Sequence, residues 1–220
     1  MEHDHIDAYC ERVGPDFWAE PINAVTNLAF IIAALVLALE LYRARRQPNH
    51  DPANWILVLL VLAIGIGSFL FHTLAVFWAA LADVIPIGLF ILAATYLAIT
   101  RLVGLHYWGG LIAVLVVLVL AVVPPALIGV PGGPYIAALI AMAAIGLFLV
   151  VARRHAAGPA VLVAAGLFAV SLTLRTIDEP LCNLYPLGTH FFWHVLNAIV
   201  LYLVTHAIIR YGTSARNQGA

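Results

Sequence analysis

The stretch THFFWHVLNAIVLYLVTHAIIR, Thr189–Arg210, carries no Asp, Glu, Lys or Arg before its last position. Its length matches the ~20 apolar residues a helix needs to cross a bilayer core. Two histidines, His190 and His194, nevertheless stand four residues apart at its head. On a helix that spacing puts them on one face. An ionisable side chain inside a membrane helix is costly, so each is a candidate functional residue by default.

Outward from this segment the same reading repeats. Six further apolar segments precede it, over 22–44, 54–74, 80–101, 107–124, 134–152 and 159–176, with the last at 189–210. The breaks are polar or rich in Pro and Gly: RARRQPNHDPAN, VPPALIGVPGGP, ARRHAAGP and DEPLCNLYPLG. The junction near Phe77–Ala80 is the shortest. Of the 220 residues, 64% are hydrophobic and 10% charged, against about 25% charged in soluble domains. The expected fold is therefore all-α: a seven-transmembrane-helix bundle, because helices satisfy their own backbone in lipid. A single domain is expected over residues 1–220, with 1–21 a short acidic N-terminal segment. No Gly-rich phosphate loop, basic nucleic-acid patch or CxxC motif is present. The first residues lack the basic and apolar regions of a cleavable leader.

All ten basic residues are arginine, and their placement predicts orientation. Arg43, Arg45, Arg46, Arg101, Arg153, Arg154, Arg210 and Arg216 fall in alternate connections or the tail, which the positive-inside rule puts in the cytoplasm. The N-terminus is then outside or lumenal and the C-terminus cytoplasmic. Arg12 and Arg175 are the two exceptions.

That orientation aligns the intramembrane polar groups. His72 lies eighteen residues after Asn54, about 27 Å along a helix at 1.5 Å per residue, near the outer end. Ser68 is one turn deeper on the same face. Asp83, His190 and His194 occupy the first turns of helices that start outside. Three neutral imidazoles with an open position form the ligand set of a catalytic zinc site. The competing reading is a set of interhelical hydrogen bonds. His72 and Asp83 at matching depth favour the metal.

Other polar residues read as structural. His206 is a packing or cytoplasmic-edge residue, His106 and His155 flank helix ends, and His3, His5 and His50 are solvated. Trp18, Trp78 and Trp108 are interfacial anchors. Glu40 is expected to pair with Arg43. Arg175 and Asp178 read as a structural pair closing the sixth helix, with the rim of the site as the alternative.

The residues now assembled resemble a known family. SFLFHT (68–73), an aspartate eleven residues after its histidine, and HFFWH (190–194) are similar to the alkaline ceramidases. That family belongs to a superfamily of seven-helix membrane hydrolases that also holds the adiponectin and progestin receptors. The stretches YCER (9–12), FWAEPINAVTN (17–27) and RTIDEPLC (175–182) are similar to the ceramidase branch. The resemblance implies that His72, His190 and His194 bind zinc, that Asp83 transfers the proton and that Ser68 polarises the site. It implies hydrolysis of ceramide-type N-acyl lipids to a sphingoid base and a fatty acid. Some members hold calcium in the N-terminal segment, and the nearest matches are Asp7, Glu11 and Glu20. The only two cysteines, Cys10 and Cys182, both fall on the outer side, where oxidation permits a disulfide, and similar cysteines occur in that branch. Two alternatives stay open: a hydrolase of another acyl lipid, ester or amide, and a receptor-like membrane protein with a structural zinc. Nucleic acid is not an expected partner; a membrane lipid is.

Overall fold

The structure is a computed structural model describing residues 5–44, 51–128 and 132–212. His3, Arg45, Arg46, His50 and Arg216 lie outside the described residues. Seven helices are long and apolar enough to cross a membrane: α1 (Pro21–Arg43), α2 (Pro52–Leu74), α3 (Phe77–Val103), α4 (Tyr107–Leu127), α5 (Gly133–Val151), α6 (Gly158–Thr176) and α7 (His190–Tyr211). No strand occurs among the described residues. Each helix packs on its neighbours in sequence, and α7 closes the ring by packing on α1 as well as α6. The core lies along the inside of this ring and includes Leu37, Leu57, Val61, Phe90, Leu149 and Ile208.

Local chemistry explains the helix ends. Asp51 caps α2, its side chain accepting from Ala53 N at 2.9 Å, with Pro52 in the first turn. Such a cap satisfies an N–H that has no partner within the helix. Three boundaries differ from the sequence expectation. α3 begins at Phe77 rather than 80, because Ala75 adopts a left-handed conformation (φ 48°) that ends α2 abruptly. It then continues past Leu97 as a π-helical stretch, Ala98–Val103. α4 runs through Pro124 and Pro125 rather than stopping at 124. α1 is also interrupted, its first piece Pro21–Thr26 meeting Leu28–Ala44 at Asn27.

Two features fix the histidine end of the bundle. The first is Gly67 on α2. A Cβ built there would collide with the backbone carbonyl of Ala82 on α3, so only glycine lets the two backbones come this close. The residues that follow each contact, Ser68 and Asp83, are thereby brought face to face. The second is a disulfide between Cys10 and Cys182. It ties the N-terminal segment to the connection preceding α7, across 172 residues of sequence. Ile6 N also donates to Ala75 O at 2.7 Å, holding the segment over the end of α2.

Candidate metal centre and active site

His72 comes from the last turn of α2, and His190 and His194 from the first two turns of α7. They are 0%, 2% and 1% exposed. One ring nitrogen from each lies within 4.8 Å of the others. Among the described residues these three form the group of metal-ligating side chains, and Asp83 is not part of it.

The hydrogen bonds around each ring separate what is engaged from what is free. His72 Nδ1 lies 2.6 Å from Glu20 Oε2, while its Nε2 is buried without a partner. His194 Nδ1 lies 2.9 Å from the Thr26 hydroxyl, and its Nε2 is likewise unpartnered. His190 Nδ1 is also buried without a partner, and its ring is covered by Tyr9, stacked at 3.6 Å and 19°. Buried polar atoms are nearly always hydrogen-bonded, so an unpartnered buried nitrogen on each of three clustered histidines calls for a ligand. A histidine that binds a metal almost always uses its second nitrogen on a carboxylate, carbonyl or water. The Glu20–His72 pair has that form. The residues present therefore fit a metal ion, and an all-nitrogen set of three is compatible with zinc.

The carboxylates around the site are all engaged. Glu20 is 2% exposed. It accepts from Arg12 Nε through Oε1 and from Asn23 Nδ2 through Oε2 at 3.0 Å. Burial pushes its carboxyl up, but His72, Asn23 and Arg12 outweigh burial and hold it below the ordinary range. Glu11 accepts from the backbone N–H groups of Ile22 (2.6 Å) and Asn23 (2.7 Å). It thus caps α1 from outside the helix, although burial pushes its carboxyl up. Asp178 serves α7 in the same way, accepting from His190 N at 2.8 Å and from Thr189 N. Gly188 makes room for that carboxylate with a positive φ of 64°, a position where a Cβ would strike Asp178 Oδ1. Asp83 is partly buried and hydrogen-bonded by Ser68.

Several sequence expectations change here. Glu40 does not pair with Arg43. It accepts from Tyr202 Oη at 2.9 Å and lies 2.8 Å from His206 Nδ1, across the α1–α7 interface. Arg175 does not pair with Asp178. Its guanidinium lies over the Tyr135 and Trp193 rings at 5.1 and 5.4 Å and hydrogen-bonds Tyr9. Asp7 is exposed and does not join Glu11 and Glu20 in a cluster. Sequence reasoning assigned no role at the site to Arg12, Tyr9 or Thr26. For Arg12 a signal existed, since a basic residue on the arginine-poor side needs a compensating charge.

An apolar cavity runs through the bundle below the histidines. Phe30, Trp193 and Asn197 line it at the site end, Phe90 in the middle, and Leu102 and Ile208 at the far end.

Seven apolar helices around a buried three-histidine group define a multi-pass membrane protein with a metal-type centre. The chain matches the Ceramidase family over residues 7–219, and it belongs to that family. Membership implies a hydrolase acting on ceramide, a membrane lipid. A comparison with curated proteins found no match.

Proposed function

We propose that this protein is a zinc-dependent intramembrane amidase, one seven-helix domain that hydrolyses ceramide-type N-acyl lipids to a free sphingoid base and a fatty acid. The observation that carries the reading is the cluster of His72, His190 and His194, each buried and each with an unpartnered ring nitrogen. These residues would hold the ion. When bound, zinc supplies Lewis-acid polarisation of a carbonyl and acidifies a coordinated water.

The chain's own groups take the remaining roles. Asp83 accepts a proton at its carboxylate and returns it to the leaving nitrogen. Ser68, which hydrogen-bonds Asp83, orients that carboxylate and can turn its hydroxyl toward the substrate carbonyl oxygen. Tyr9, stacked on His190, shields the centre from bulk water. The cavity between Trp193 and Ile208 is suited to an acyl chain by its apolar lining. Structural zinc sites are closed by four protein ligands. The separation of Asp83 from the three-histidine group favours an enzyme over a receptor-like protein with such a site.

Arginine placement puts the histidine end of the bundle in the outer or lumenal leaflet and the C-terminus in the cytoplasm. The test is hydrolysis of labelled ceramide by purified protein, with metal analysis and a panel of ester and other N-acyl lipids. Release of sphingoid base by the zinc-loaded protein is expected. Preference for an ester would shift the substrate class, and no hydrolysis of any lipid by fully zinc-loaded protein would overturn the enzyme.

A further inference from the structure

Arg12, a basic residue in the acidic N-terminal segment, is only 6% exposed. Its guanidinium reaches three oxygens. Nε donates to Glu20 Oε1, Nη1 to Gly14 O at 3.3 Å, and Nη2 to His72 O at 2.9 Å. Two of these acceptors bear directly on the metal centre, because Glu20 engages the His72 ring and the third acceptor is His72's own carbonyl. A ring of carboxylate and carbonyl oxygens is the environment a hard divalent cation prefers. Here it surrounds a side-chain cation. The neighbouring acid is committed elsewhere, since Glu11 spends both oxygens on Ile22 and Asn23.

We infer that Arg12 is the positioning residue for His72 and stands where a divalent cation would otherwise neutralise the Glu20 carboxylate, so that this chain needs no calcium there. A planar fork suits the task, because one guanidinium can bind several oxygens in fixed directions. Arg12 joins the N-terminal segment, the head of α1 and the end of α2 through a single charge. The Asp7, Glu11 and Glu20 set implied by family resemblance accordingly does not fit calcium. The inference rests on His72 being a metal ligand.

The experiment uses the full-length protein in detergent. Binding of radiolabelled calcium, melting temperature with and without millimolar calcium, and zinc affinity are measured for the native chain, Arg12→Ala, Arg12→Gln and Arg12→Lys. The native chain should take up no stoichiometric calcium and show no shift in melting temperature. Arg12→Ala and Arg12→Gln should bind zinc about 10–100-fold more weakly, the usual effect of losing support behind a ligand. Calcium should restore much of that loss, and Arg12→Lys, which keeps the charge but not the fork, should restore only part of it without calcium. The glutamine variant keeps side-chain volume where alanine fails to fold. One calcium per native chain, or native-like zinc affinity in both neutral variants, would overturn the inference. Weakened zinc binding that calcium does not restore would overturn the substitution for a cation. Calcium uptake and melting are read without substrate or zinc. A native chain that holds no zinc would therefore fail the proposed function and leave the calcium result legible.

Discussion

Glu20 Oε2 lies 2.6 Å from Nδ1 of His72, and both side chains are buried. The contact spans 52 residues and joins the entrance of α1 to the end of α2. It engages Nδ1 and leaves Nε2 buried without a partner. Glu20→Gln keeps the shape but loses the charge. We expect it to fold and to bind zinc about 10–100-fold more weakly. Zinc affinity by competition with a chromogenic chelator measures this, and an unchanged affinity would remove Glu20 from the centre.

Each of His72→Ala, His190→Ala and His194→Ala should leave purified protein with less than stoichiometric zinc by mass spectrometry. His206→Ala should retain it, since His206 belongs to the separate Glu40–Tyr202 network. A full equivalent of zinc in His72→Ala would mean that the α7 pair binds the ion with some other partner.

Asp83→Asn keeps the side chain's size but cannot cycle a proton at neutral pH. Zinc content should be unchanged while turnover falls by about 10²–10⁴-fold, the range for a general acid–base group. Loss of zinc would make Asp83 a ligand. Near-native turnover would exclude it from the chemistry.

Gly67→Ala tests how Ser68 and Asp83 come to meet. The added methyl would collide with the Ala82 carbonyl, and α3 must move away. Overpacking of this kind costs about 1–3 kcal/mol, read as a lower melting temperature. Turnover should fall while zinc stays bound, because none of the three histidines sits on α3. A variant with native stability and activity would show that the close approach of α2 and α3 is dispensable.

Replacing Cys10 with Ser removes the tie between the N-terminal segment and the connection before α7. The typical loss on removing a disulfide is about 2–4 kcal/mol. Because Tyr9 precedes Cys10 and stacks on His190, activity should fall along with stability. In the native chain neither thiol should be alkylated before reduction, and mass spectrometry finding both alkylated would reject the bond.

The sequence alone determined the seven long apolar helices and the place of the key residues along them. Both are one-dimensional properties: apolar length matches bilayer thickness, and a residue's place along a helix sets its height. His190 and His194 were legible for the same reason, because i and i+4 share a face in any helix. Only the tertiary structure decided which polar groups pair. Glu40 faced a nearby Arg43 in sequence yet bonds Tyr202 and His206 on α7. Asp178 lies three residues from Arg175 yet binds the head of α7, while Arg175 lies over two aromatic rings. Arg12 stood out in sequence only as an exception to the arginine pattern and Glu20 only as a possible calcium ligand, yet together they support His72. Long polar side chains take whichever partner the packed helices bring within about 3 Å. In a bundle closed by α7 against α1, those partners come from opposite ends of the chain.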